Sequence, residues 1–139
     1  MYEINLNRGL GQIHFGMHPS EVKAILGNNL YYEEWMGGNL ENFLFYKGLL
    51  IGFSGPCKNE PSEEAKVCMF QVKTSHELTL YQKTITNYTP KEAEKILASI
   101  NLEYEYLSKS IISANNSMLQ FFFNDKEVLE SVYFSNKNS

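Results

Sequence analysis

The sequence predicts an α+β protein made of two tandem helix-plus-four-strand repeats. These would form one curved antiparallel sheet of about eight strands with the helices on one face. Three observations predict it. A Pro-led helix signature occurs twice, 71 residues apart, at HPSEVKAIL and TPKEAEKIL. Each copy is followed by short runs rich in aromatic and β-branched residues, separated by Gly, Asn, Asp and Lys turns. Aromatic residues make up 14% of the chain, with nine Tyr and nine Phe, and flat side chains pack well on a pleated surface.

The second helix signature is the fuller one. Thr89 is an N-cap, Pro90 stands at the first helical position where a missing N–H costs nothing, and Glu92 completes a capping box. Ala93, Ile96, Leu97 and Ile100 follow at helical spacing and define one apolar face. In the first copy His18, Pro19 and Glu21 stand where Thr89, Pro90 and Glu92 stand. Val22, Ile25 and Leu26 supply the apolar face, and Gly27 supplies the left-handed residue that ends the helix.

Strands are expected at Tyr31–Trp35 (YYEEW), Glu41–Tyr46, Gly48–Gly55 and Lys66–Val72 after the first helix. After the second they are expected at Leu102–Leu107, Ser110–Ala114, Asn116–Asn124 and Val128–Ser135, with a hairpin turning at Asn124–Asp125. HELTLYQKTI, from His76 to Ile85, reads as one further strand. The Pro-rich, acidic stretch Ser54–Ala65 reads as an exposed hairpin loop. The organisation expected is a single domain over residues 1–139, built of pseudo-repeats at about 10–80 and 81–139. A lone half would expose its sheet and be marginal.

Net charge is −4 and the isoelectric point about 5.4, the opposite balance to a general nucleic-acid binder. Between Leu30 and Glu64 there are six acids and two bases, whereas acids and bases cancel in the rest. No apolar run approaches the ~20 residues that span a bilayer. The first residues lack a basic stretch followed by an apolar run, so a cytoplasmic protein with reduced Cys57 and Cys68 is expected.

Catalytic motifs are not evident. His14 and His18 are four apart but only His18 adjoins a helix, and neither has a Cys or carboxylate at ligand spacing. Neighbouring carboxylates such as Glu33 and Glu34 would point to opposite faces of a strand, which rules out an acid–base couple there. No enzyme activity, cofactor or metal is expected. The signal that remains is for binding. Tyr31, Tyr32, Glu33, Glu34 and Trp35, with Glu41, Glu60, Glu63 and Glu64, mix aromatic anchors with carboxylates able to steer a basic partner.

The stretch IHFGMHPSEVKAILG resembles the opening pattern I-x-x-G-M-[ST]-x-x-E-V-x-x-x-L-G of small helix-then-sheet repeat proteins. These include the β-lactamase inhibitory protein and the outer-membrane assembly lipoprotein family. Ile13, Gly16, Met17, Glu21, Val22, Leu26 and Gly27 carry the match, and His18 replaces the usual Ser or Thr. The two-copy layout is similar to bacterial immunity proteins of polymorphic toxin and contact-dependent growth inhibition systems. The resemblance implies a protein that binds the C-terminal domain of a cognate toxin, a nuclease for an acidic inhibitor, and covers its active site or substrate path. A small-molecule binder or enzyme using an open sheet face is the alternative. The sequence does not define an oligomeric state.

Overall fold

In the computed structural model of the chain the described residues are 1–28 and 41–136. In order they form β1 (Tyr2–Asn5), β2 (Gly9–Leu10), β3 (Ile13–His14), α1 (Pro19–Leu26), β4 (Phe43–Tyr46), β5 (Leu49–Ser54), β6 (Cys57–Lys58) and β7 (Glu60–Pro61). Then follow β8 (Lys66–Lys73), β9 (Leu78–Leu80), β10 (Lys83–Thr84), α2 (Pro90–Ser99), β11 (Tyr104–Ser108), β12 (Ile111–Ala114), β13 (Leu119–Phe123) and β14 (Leu129–Ser135). The strand expected at Tyr31–Trp35 lies outside the described residues.

Both helices start where their sequence signals place them. Thr89 N–H donates to Glu92 Oε1 at 3.0 Å and Glu92 N–H returns a bond to Thr89 Oγ1 at 3.4 Å, the reciprocal capping box. In α1 the His18 N–H donates to Glu21 Oε1 at 3.0 Å, while the His18 ring donates from Nδ1 to the Ala65 carbonyl at 3.1 Å. Gly27, at φ 86°, closes α1 with its N–H on the Lys23 carbonyl. Val22, Ala93, Ile96 and Leu97 are buried as the helical spacing requires, but Ile25 is 40% exposed.

The expected single sheet is not what forms. The strands divide into a seven-stranded sheet, ordered β11-β12-β13-β14-β8-β5-β4, and a five-stranded sheet, ordered β10-β9-β1-β2-β3, with β6 and β7 as a separate pair. The tandem-repeat reading therefore fails, and its fault is traceable to particular residues. YEIN at the N-terminus, unassigned by the sequence reading, pairs in parallel with β9, Tyr2 opposite Leu78 and Ile4 opposite Leu80. Such a contact has no local signature, because its partners are far apart in the chain. The five strands it organises have no counterpart after α2.

Two other expectations are corrected. HELTLYQKTI is not one strand: Tyr81 and Gln82, at φ 49° and 67°, form a two-residue turn that folds β10 back on β9. Positive φ at both central residues matches the twist of a hairpin, yet neither residue is the Asn-Gly that announces it. The Ser54–Ala65 stretch is not all exposed loop, since it contains the β6–β7 pair and buries Pro61 and Ala65.

The core lies on one face of the seven-stranded sheet. At its centre β14 pairs antiparallel with β8, placing Val132 opposite Val72 and Phe134 opposite Phe70. The Phe70 and Phe134 rings stack at 5.1 Å, and Phe15 meets them edge-on at 5.4 and 5.9 Å. Residues of the five-stranded sheet (Ile4, Leu10, Leu78, Leu80) and of both helices join the same buried cluster. The helices and the smaller sheet thus cover this face. Phe70 and Phe134 are fully buried, so Phe70→Ala is expected to lower the unfolding free energy by about 3–5 kcal/mol. Urea unfolding measures it, and a loss under about 1 kcal/mol would show that the stack is not central.

Candidate functional site

Strand alternation decides what the other face of the large sheet carries. Residues paired with the buried row share its face, and their sequence neighbours point away. The register sets Phe45 opposite Leu50, Leu50 opposite Gln71, Gln71 opposite Tyr133, Tyr133 opposite Gln120 and Gln120 opposite Ser113. This row crosses six strands. Met69, Phe122 and Ile111 flank it on the same face. Gln71, Tyr133, Gln120, Met69 and Phe122 are half-buried, whereas Phe45 and Leu50 are buried yet stand outside the main core cluster. Gly52 faces the same way, and Met69 and Phe43 lie across it: a Cβ there would come within 3.0 Å of the Phe43 ring and closer to Met69. The centre of the face is therefore aromatic, thioether and amide in character. Its charged members are at the margins, Lys66 and Lys73 at the ends of β8 and Glu103 and Glu105 at β11.

The acidic residues singled out by sequence are placed one by one. Tyr31, Tyr32, Glu33, Glu34 and Trp35 lie outside the described residues. Glu41 Oε1 accepts the Asn59 N–H at 3.3 Å. Glu60 pairs with Lys23 at 3.3 Å. Glu63 accepts the Ser20 N–H at 3.0 Å and the Ser20 hydroxyl, and these bonds hold its carboxyl below the ordinary value. Since Ser20 is in the first turn of α1, Glu63 satisfies a helix N-terminal donor from 43 residues away in sequence. Glu64 is exposed. Glu41, Glu60 and Glu63 are thus tied to the loop and to α1, and the segment is an internally braced acidic margin. A helix donor reached by a remote loop has no local sequence signal.

The histidines have structural partners. His14 Nε2 accepts from Arg8 Nε at 3.1 Å, and His76 donates from Nε2 to the Lys47 carbonyl at 2.7 Å. Among the described residues no three His, Cys, Asp or Glu side chains gather as a metal site, and no helix is long and apolar enough to cross a membrane. Both cysteines are free and half-buried, and burial pushes the Cys68 thiol up.

Sequence reading missed the opposite margin. β11 is an edge strand exposed along its whole length. Tyr104 and Tyr106 donate their phenols to the two oxygens of Glu94 on α2, at 2.8 and 2.5 Å. Alternating Glu and Tyr in EYEY suited a strand, but only the packing of α2 shows that its tyrosines grip the helix. The bonds from Tyr106 and then Tyr104 lower the Glu94 carboxyl. Desolvation and then the bond to Glu94 push the Tyr106 phenol up to about 12.

No protein-family model matches the chain, and no curated protein or solved structure matches it either.

A carboxyl lowered in the folded state adds stability that is full above its unfolded value, near 4.3, and is lost as pH falls through the folded value. The fall in melting temperature between pH 6 and pH 3 is therefore expected to be smaller in Glu94→Gln than in the unaltered chain. Equal falls in the two proteins would show that the clamp contributes nothing.

Proposed function

We propose that the protein is a non-catalytic inhibitor of the immunity type, acting in the cytoplasm, that binds a cognate toxin domain and blocks its active site or substrate path. The observation that carries this reading is the face of the large sheet turned away from the core cluster. A row of half-buried Phe, Tyr, Met and Gln with its charges at the rim has the composition of a protein-interface core. Tyr133 and Phe122 are the anchors, being large, rigid and set on strands that the core holds fixed. The net acidity supports a basic partner, the charge a nuclease needs to hold phosphates. Inhibition is then by occlusion, and association is accelerated by opposite charge and slows as salt rises.

The test is co-expression with the C-terminal domain of the protein encoded immediately upstream of this gene. The expected result is rescue of growth and co-purification of a complex. Tyr133→Ala should weaken that complex by about tenfold or more while leaving the melting temperature within a few degrees. Growth arrest despite soluble co-expression would overturn the reading. Full affinity of Tyr133→Ala and of Phe122→Ala would move the interface off this face.

A further inference from the structure

We propose that the free edge of β11 is a strand-addition site for an extended, basic segment of a protein partner. The backbone supplies the first reason. The Glu103 carbonyl accepts the Asn115 N–H across the β11–β12 ladder, and Glu105 pairs with Ser113. Inward and outward groups alternate along an antiparallel strand. The N–H and C=O groups of Tyr104 and Tyr106 therefore point away from β12, at the open edge. Four backbone groups stand in a row, ready to pair with one extended segment.

The side chains specify the partner's charge. Glu103 and Glu105 share the face turned away from α2, because their register partners Asn115 and Ser113 lie on it and Tyr104 and Tyr106 bond Glu94 on the other. They line a cavity of about 350 Å³ together with Ser113, Asn116 and Ser117. Its wall is oxygen-rich, and neither glutamate has an ion-pair partner among the described residues. With Tyr104 and Tyr106 hydrogen-bonded to an added strand, the residues opposite Glu103 and Glu105 fall in the closer, non-hydrogen-bonded positions, about 4.5 Å away between Cα atoms. Lys or Arg at two alternate positions of the partner would meet both carboxylates. Acidic residues there would be repelled.

The edge is held for this purpose. The Glu94 clamp fixes β11 against α2 from the opposite face, so pairing requires no reordering of the strand. The register shift between Tyr106 and Ser108 ends the regular edge after Tyr106 and limits the added strand to a short length. A second copy of the chain fits less well. Antiparallel self-pairing centred on Tyr104 or on Glu105 sets glutamates against each other, and pairing centred on Tyr106 runs into the register shift.

This inference shares with the proposed function only the premise that the partner is a protein. The experiment is titration of the full ¹⁵N-labelled chain with a capped synthetic peptide of alternating Lys and Thr, with the alternating Glu and Thr peptide as control. The expected result is movement of the Tyr104 and Tyr106 amide signals, with the Lys peptide binding at least about tenfold more tightly than the Glu peptide. The exposed double variant Glu103→Lys plus Glu105→Lys should reverse that preference, and its unchanged remaining spectrum reports an intact fold. Equal binding of both peptides, shifts centred away from β11, or no shifts would overturn the proposal. Concentration-dependent broadening of the same signals without peptide would also overturn it, by assigning the edge to a second copy. Toxin rescue can succeed when this titration fails, so the two readings fall separately.

Discussion

Everything in this molecule is arranged around the antiparallel pairing of β8 with β14. These strands come from distant parts of the chain, and they meet at the middle of the seven-stranded sheet. Hydrogen bonding alone would not select that pairing, because each strand could satisfy its backbone elsewhere. Side-chain register selects it. Phe70 opposite Phe134 and Val72 opposite Val132 put the largest buried rings on one face. A one-residue slip would turn those rings outward and bring Gln71 and Tyr133 into the core.

The asymmetry between the faces follows from that choice. One face must be covered, and two helices and a second sheet cover it, with Phe15 laid across the Phe70–Phe134 stack. The other face stands outside that cluster. Its half-buried centre, with Gln71, Gln120, Tyr133 and Met69, is amphipathic, able to tolerate water and able to exclude it. At the margins the chain uses carboxylates for bracing: Glu63 on the first turn of α1, Glu60 on Lys23, and Glu94 between two tyrosines. Among the described residues Glu103 and Glu105 have no such role, which leaves their carboxylates open to a partner.

What was legible in the sequence was local. The helix starts were visible because Pro90, Thr89 and Glu92, or Pro19 and Glu21, act within one turn. The Asn124 hairpin was visible because Asn124 Oδ1 accepts from the Lys126 and Val128 amides, a contact within four residues. The second sheet was not legible, because the pairing of Ile4 with Leu80 has no local trace. The turn at Tyr81–Gln82 was hidden by side chains that do not favour positive φ. The acidic residues were recognised as a group, but three of those described proved to be bonded within the fold. Glu103 and Glu105 carry no local mark of a site, since their exposure depends on which strand ends the sheet.

Native-state hydrogen exchange addresses the β8–β14 pairing directly. If that pairing holds the sheet together, the amides of β8, β14 and the adjoining β5 and β13 open only in global unfolding and share the highest protection, while β11 exchanges fast. Separate opening energies for the β5–β8 and β13–β14 pairs, each below the global value, would contradict the account by showing that the sheet is two independently stable parts in contact.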